Sequence, residues 1–344
     1  MYLNDDFDKK KNINGKPRVS FGIPVFNGEN HIREALDSIL NQKYTNFEVI
    51  ISDNASTDKT RQICLEYAAK DNRIKYYRNK KNFGASKNHN RVFQLSSGEY
   101  FKWAAHDDAI TSDFLQKCVN VLDNDNSVVC CHSRTARIDE NGKLVGNYDH
   151  KLLKEINSEK PYERFGDLIS IRNLCWYIFG VIRTSSLRSI SLLGNFIGAD
   201  HALLAELGLK GRFYEIPEYL FYRRDHPNSY TRTYCEQKKF AISSKDYEQQ
   251  AMWWGSGFSR FPWWTMCFDY FRSVREAHLK LSERLLCYSE IYNWILREGW
   301  IFMCGDIDRF LTQSSPYGEK FLSMIKHILH VSVIPILNKV GVLT

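Results

Sequence analysis

Three acidic positions combine a residue type and a spacing that could do chemistry. Asp53 lies just past the apolar run Val49-Ile50-Ile51, the adjacent pair Asp107-Asp108 just past Tyr100-Phe101-Lys102-Trp103-Ala104, and Asp200 after the loop from Gly194 to Gly198. Paired carboxylates at a strand end suit a hard divalent cation, because Mg²⁺ or Mn²⁺ takes oxygen ligands and is commonly held by one or two carboxylates plus substrate phosphates. The same pair can equally be a turn that leads into a helix near Thr111-Ser112. Two other phosphate chemistries lose their support. The segment after the first apolar run reads Ile23-Pro24-Val25-Phe26-Asn27-Gly28, without the G-x-G-x-x-G of dinucleotide folds, and no G-x-x-x-x-G-K-[ST] loop occurs anywhere.

These acids need elements to position them. Val19-Ser20-Phe21-Gly22-Ile23 and Phe47-Glu48-Val49-Ile50-Ile51 have the length and β-branched content of buried strands. Between them Ile32, Ala35, Leu36, Ile39 and Leu40 form one helical stripe, with Asn30 as its N-cap. Ser56-Thr57-Asp58 starts a second helix through Ile63, Cys64, Tyr67 and Ala68, and Ile74 to Tyr77 is the next strand. A third helix through Val92, Phe93 and Leu95 leads to the strand at Tyr100. Such alternation predicts an α/β fold with a mainly parallel sheet and helices on both faces, with ligands beyond the carboxyl ends of the strands. Further on, Phe114 to Leu122 reads as a helix, Val128 to His132 as a strand and Glu140-Asn141-Gly142-Lys143 as a hairpin turn. Tyr148 to Lys160 reads as a loop, Trp176 to Ile182 and Phe213 to Tyr222 as extended segments, and a helix starts at Asp200.

The 344 residues are 43% hydrophobic and 25% charged, the composition of a globular chain with roughly two domains. Nine cysteines without a C-x-x-C spacing fit neither a disulfide framework nor a zinc motif and read as reduced thiols. Residues 1–16 are polar, without the apolar core of a signal peptide, and read as a flexible tail of a cytoplasmic protein. The net charge of +7, from 47 basic and 40 acidic side chains, is too dispersed to argue for nucleic acid.

Taken in order and at their intervals, Ile23-Pro24-Val25-Phe26-Asn27 with Glu29 and Ile32, Ser38-Ile39-Leu40-Asn41-Gln42, Ser52 to Asp58, Asn82-Phe83-Gly84, Asn90 and His106-Asp107-Asp108 carry a family resemblance. The stretch from Val19 to Asp108 resembles the nucleotide-sugar half of a family 2 glycosyltransferase of the GT-A fold. The likeness extends less sharply through Arg183, Gly198-Ala199-Asp200 and Tyr222-Arg223-Arg224-Asp225-His226, and stops near residue 230. It implies a donor site of Pro24, Val25, Asn27, Glu29, Asp53, Asn82, Gly84 and Asn90, with Asp53 accepting from an N–H of a uracil-type base. The alternative for Asp53 is an Asx-turn capping the next helix. Asp107-Asp108 would be this chain's D-x-D motif: Asp108 a direct ligand of Mn²⁺ or Mg²⁺, Asp107 toward the ribose or the metal's waters. His226 would stand near the diphosphate and the metal, or else be a turn residue ahead of Pro227.

Asp200 matches the catalytic base, which takes the acceptor hydroxyl's proton in a single inverting displacement; the alternative is an ordinary helix N-cap. His106 and Ala199 depart from the family pattern, each replacing an acid common among relatives. The implied activity is metal-dependent transfer of a sugar from a nucleoside diphosphate, UDP above all, to a hydroxyl of a glycan or lipid-linked acceptor in glycan or surface polysaccharide synthesis. Its rivals are a nucleotidyltransferase, and a glycan-binding or scaffold protein that keeps the sheet without turnover.

Residues 17–230 are thus the expected GT-A domain and 231–344 a helical, aromatic-rich region. There Trp253, Trp254, Trp263 and Trp264 either stack on sugars, sit at a lipid interface, or serve a helical core or dimer contact. Residues 321–344 read as an amphipathic helix for peripheral membrane contact.

Overall fold

Val19–Val25 (β1) and Phe47–Asp53 (β2) are buried at every position, as strands covered on both faces must be. They pair in parallel from Val19 opposite Phe47 to Val25 opposite Asp53, so the two loops that follow leave the sheet at the same level. In the computed structural model, which describes residues 16–148, 154–170, 175–227 and 253–314, these two strands form the centre of the parallel half of the sheet. The crossover between them is Ile32–Leu40 (α1), with Ile32, Ala35, Leu36 and Ile39 facing the core. Its N-cap is His31 rather than Asn30, and neither residue caps it through a side chain, because the preceding loop is held from outside the helix. Thr60–Lys70 (α2), Ile74–Arg78 (β3), Ala85–Gln94 (α3) and Tyr100–Trp103 (β4) complete the alternation, giving the parallel order β3-β2-β1-β4. The order turns back between β1 and β4, which opens a crevice beyond their carboxyl ends.

Beyond β4 the sheet becomes mixed. Ala109–Ile110 (β5), Phe114–Asn124 (α4), Val128–Ile138 (β6) and Leu144–Asn147 (β7) lead to Pro161–Ile169 (α5), Val181–Arg183 (β8), Thr184–Arg188 (α6), Ala199–Lys210 (α7) and Arg212–Arg224 (β9). The full order is β3-β2-β1-β4-β8-β6-β9-β5, with β7 alongside β6. The hairpin between Ile138 and Leu144 is present, with Gly142 at φ +82°, where a side chain would be strained. The extended reading of Trp176 to Ile182 holds only for its end: Trp176–Phe179 is a 3-10 turn, entered through Cys175 in a left-handed conformation, and strand pairing starts at Val181. An apolar run of that length does not by itself separate a tight turn from a strand.

Of Pro262–Glu276 (α8), Leu281–Trp294 (α9) and Trp300–Ser314 (α10), the last two joined by a π-turn at Ile295–Gly299, α8 packs against α7, α9 against α5, and α10 against α8. Phe165 and Leu168 of α5, Leu203 and Leu207 of α7, and Met266, Tyr270, Ile291 and Trp294 belong to one buried cluster. The helical region therefore shares its core with the sheet domain. The expected boundary near 230, all but the last residue of the expected flexible tail over 1–16, and the amphipathic stretch 321–344 lie outside the described residues. Trp254 is buried in the shared core and Trp263 and Trp264 pack against it, so these three take the core role among their alternatives, while Trp253 stays 37% exposed.

One contact ties this region to the sheet. Gly84 has φ +89°, and a Cβ there would lie 1.8 Å from the carbonyl oxygen of Trp254. Gly84→Ala is expected to lose about 2–4 kcal/mol of stability, the sum of left-handed strain and overpacking against backbone. Urea unfolding checks this, with Ala85→Gly as a control for a change without the clash.

Candidate active site

The loop after β1 is stitched to the loop after β2 by side chains used as backbone caps. Ser56 Oγ accepts from Asn27 N–H at 2.9 Å, Thr60 Oγ1 from Gly28 N–H at 2.8 Å and Asp58 Oδ2 from Glu29 N–H at 3.1 Å. In return Asn27 Oδ1 accepts from Thr57 N–H at 2.9 Å and Glu29 Oε2 from Lys59 N–H at 2.8 Å. Asn27 and Ala55 both adopt positive φ, 52° and 65°, a cost the reciprocal bonds offset. Pro24 and Val25 are buried beneath this double loop, whereas Phe26 and Asn27 face outward at its rim.

Asp53 is fully buried at the end of β2. Its Oδ1 accepts from Ser56 N–H at 2.7 Å, and its Oδ2 from Tyr76 Oη at 2.6 Å and Arg78 Nη1 at 3.2 Å. This is the Asx-turn of the two sequence readings, reinforced by a hydroxyl and a guanidinium. In this geometry the carboxylate fixes the backbone of Ser56, whose hydroxyl holds Asn27. Next to it Asn54 Oδ1 accepts from Asn79 Nδ2 at 2.9 Å and from Phe83 N–H at 3.0 Å, while Asn54 Nδ2 donates to Asn82 Oδ1 at 2.7 Å. Asn82 Oδ1 also accepts from Gly84 N–H at 2.8 Å, so the Asn82–Gly84 loop hangs on Asn54. Asn90 spans elsewhere: its amide exchanges two hydrogen bonds with the Leu193 backbone, at 2.8 and 3.1 Å, and anchors the segment that leads to α7.

On the other side of the crevice, β5 pairs antiparallel with β9, placing Ala109 opposite Tyr222. That register carries Arg224 and His226 to Asp107-Asp108. Asp108 Oδ1 accepts from the backbone N–H of Arg224 at 2.9 Å, and Asp107 Oδ2 lies 3.0 Å from His226 Nε2. The Arg224 side chain is buried and donates to the carbonyls of Asp107, Asp139 and Glu140 at 2.8, 3.0 and 3.2 Å, while its Nη2 stands 2.6 Å from Glu34 Oε2. The ring of His31 lies 4.9 Å from that of His226, and burial together with the Arg224 cation lowers the affinity of His31 for a proton. His106 packs on the β1 loop, where a Cβ on Gly28 would meet its ring at 2.6 Å.

The two carboxyl groups differ in their titration. Burial opposes the charge on Asp107, but the neighbouring His106 and the bonded His226 outweigh it and hold the group below the ordinary carboxylate range. Burial and the adjoining Asp107 push Asp108 upward. An adjacent pair held apart in this way wants further positive charge. Oxygen from the two aspartates suits Mn²⁺ or Mg²⁺ by its chemistry, although in this geometry Asp107 is bonded to His226 and Asp108 to the Arg224 backbone, and the ligand atoms of Asp107, Asp108 and His226 are not gathered as a ready cluster. Lys102, buried between the rings of Phe114 and Phe221 and pushed down to about 8 by burial, adds a weak positive field from beneath.

Asp200 sits in the first turn of α7, after Gly198 in a left-handed conformation, and its Oδ1 accepts from the N–H of His201 at 3.0 Å. It is partly exposed. The buried imidazole of His89 lies within electrostatic reach of both Asp200 and His106. Of the residues singled out in the sequence, the structure brings Asp107, Asp108 and His226 together, joins Asn27 and Glu29 to the α2 loop, and uses Asp53, Asn82 and Asn90 to position loops. Sequence reasoning missed Asn54, the hub of the second loop, and His31. It gave Arg224 no role of its own, whereas that residue is the buried link between β9 and the acidic pair. Only tertiary register reveals these roles, although two adjacent arginines at the end of an extended run were a signal.

The family model described as Glycosyl transferase family 2 matches residues 20–192. An uncharacterized glycosyltransferase of Rickettsia typhi is 41% identical over 118 residues, 33% of this chain and 36% of that one. The chondroitin synthase of Escherichia coli is 33% identical over 131 residues, 38% of this chain and 19% of that protein. The chain thus spans well under half the length of either relative. Among solved structures, S. aureus TarS 1-349 in complex with UDP-GlcNAc superposes with a TM-score of 0.58 at 17% identity, over 88% of this chain and 83% of that one. This is the GT-A-like architecture: a mixed sheet with flanking helices, followed by a helical region. By its sequence over half its length, the chain belongs to glycosyl transferase family 2.

Proposed function

We propose that the protein is an inverting, metal-dependent glycosyltransferase that moves a sugar from a nucleoside diphosphate, UDP, onto an acceptor hydroxyl of a glycan or lipid-linked substrate. The observation that carries the reading is that Asp107 and Asp108, just past β4, are held against the end of β9 through His226 and the Arg224 backbone. UDP is favoured because a protein of the same fold, TarS, is described in complex with UDP-GlcNAc.

The base and ribose lie along the β1 loop, over Pro24, Val25, Asn27 and Glu29, with Asp53, Asn82 and Gly84 shaping the adjoining wall. The diphosphate occupies the crevice between β1 and β4. Asp107, Asp108 and His226 would hold Mn²⁺ or Mg²⁺, which when bound neutralises charge on the leaving diphosphate. His226 also presents a donor nitrogen toward that charge. Asp200 takes the proton of the acceptor hydroxyl as its oxygen attacks the anomeric carbon opposite the diphosphate, so the configuration inverts. Asn90 fixes the Leu193 backbone and with it the approach to α7, which keeps Asp200 within reach of the acceptor.

Calorimetric titration of UDP, GDP, dTDP and CDP, each with Mn²⁺, with Mg²⁺ and with EDTA, tests the reading. UDP binding that requires the metal is the expected result. No binding of any nucleotide would leave a fold without its donor site and overturn it.

A further inference from the structure

Beside Asp200 stand two side chains, Cys175 and His201, that the transfer reaction does not use. The Cys175 sulfur, a carboxylate oxygen of Asp200 and a ring nitrogen of His201 all lie within 4.8 Å of one another. We propose that Cys175, Asp200 and His201 form a second metal site, specific for a borderline-soft ion of the Zn²⁺ class, whose occupation withdraws Asp200 from proton transfer and silences the enzyme. The inhibitory half of this statement rests on Asp200 as the base; the site itself does not.

Four observations support it. The donor set is one thiol, one imidazole and one carboxylate, the mixture that selects zinc over magnesium or calcium. With bonds of about 2.0–2.3 Å, ligand atoms around a tetrahedral ion stand about 3.3–3.7 Å apart, so the three groups need to close by only about an ångström. The imidazole of His201 is already bonded to the backbone carbonyl of Leu168, which fixes one ring nitrogen as the donor and leaves the other for a ligand. Zinc-bound histidines are oriented by this same kind of outer bond. Finally, the hydroxyl of Tyr270 is fully buried, lies within the electrostatic reach of Cys175 and Asp200, and has no hydrogen-bond partner among the described residues. A three-ligand zinc keeps a fourth position for water, and that water would give the Tyr270 hydroxyl its partner.

The charges also balance. Binding converts the Cys175 thiol to thiolate and releases its proton to solvent, so Zn²⁺ meets one thiolate and one carboxylate and the site is neutral. Neutrality matters here, because Asp200 and His201 sit at the amino end of α7, whose dipole opposes an uncompensated cation. A hard ion gains nothing from the thiol and stays with Asp107-Asp108, so the two sites sort metals by chemistry.

The test is Co²⁺ titration of the full chain, followed by the near-ultraviolet thiolate-to-cobalt band and the visible bands of tetrahedral cobalt. One equivalent should produce both, with release of one proton, and Zn²⁺ but not Mg²⁺ should bleach them. Cys175→Ser should abolish the thiolate band, and His201→Gln should weaken Co²⁺ affinity by at least about tenfold, with circular dichroism confirming that each variant is folded. No thiolate band, or a band that survives in Cys175→Ser, would overturn the site. Zn²⁺ should also inhibit UDP-sugar hydrolysis by the wild type and release its hold in His201→Gln. Should the base assignment be wrong, Asp200→Asn would retain turnover while the wild-type cobalt spectrum stood, so the two failures are distinguishable.

Discussion

Asp200→Asn is expected to lower the turnover of donor hydrolysis and transfer by at least about a hundredfold, the lower range for losing a general base, while UDP affinity is unchanged. The substitution is nearly isosteric. An amide oxygen at the same position still accepts from the N–H of His201, so the first turn of α7 keeps its bond and the fold has no reason to yield. On the proposed reading the nucleotide lies with the β1 and β4 loops rather than on this carboxylate, which is why binding and turnover should separate. Steady-state rates with saturating UDP-sugar, alongside calorimetric UDP binding, give the two quantities. A mutant that turns over like the wild type would remove Asp200 from the chemistry and return it to helix capping. A mutant that loses both activity and nucleotide binding would mean that the substitution disturbs the donor site.

Much of the scaffold behind this expectation was legible in the sequence. The alternation from Val19 to Trp103 is written in apolar runs of strand length separated by a helical stripe, and β1 and β2 are buried at every position, as such runs imply. The acidic pair past Trp103 was equally visible, because a sheet of this kind puts its ligands beyond strand ends. The text was silent wherever register decides. Nothing local announces that Ala109 pairs with Tyr222, yet that one register brings Arg224 and His226 to Asp107 and Asp108. Asp53 shows the complementary limit: an acid at a strand end reads the same whether it meets a ligand or caps its own loop. The bonds to Ser56, Tyr76 and Arg78 that the structure adds show the capping role, which local sequence could not separate from a ligand contact. The 3-10 turn at Trp176–Phe179 was missed for a related reason, since the left-handed Cys175 that starts it is not a residue type that advertises positive φ.

The second large effect is expected at the acidic pair, and the choice of substitution determines what it reports. Asp108→Ala would leave the backbone N–H of Arg224 without its acceptor, at about 1–3 kcal/mol, and a loss of activity could then be a loss of β9 placement. Asp108→Asn keeps an oxygen for that N–H and removes only the negative charge. If Asp108 is a ligand of Mn²⁺ or Mg²⁺, Asp108→Asn should cost at least about a hundredfold in turnover, in line with the several kcal/mol of charge stabilisation a bound metal supplies. UDP binding in the variant should then be the same with Mn²⁺ as with EDTA. Asp107→Asn should differ in kind. Asp107 carries the charge that His106 and His226 favour, so its neutralisation loosens the contact to His226 and relieves the repulsion that pushes Asp108 upward. With the Asp107 charge gone, Asp108 stays ionised to lower pH, because a carboxyl whose affinity for protons falls loses its charge only at greater acidity. The acid limb of metal-dependent UDP binding should therefore move to lower pH in Asp107→Asn, and disappear with the metal dependence in Asp108→Asn. Calorimetric UDP titrations in Mn²⁺ across a pH series read both outcomes. An unchanged acid limb in Asp107→Asn, with full metal dependence in Asp108→Asn, would show that the pair is a turn and that the cation is held elsewhere.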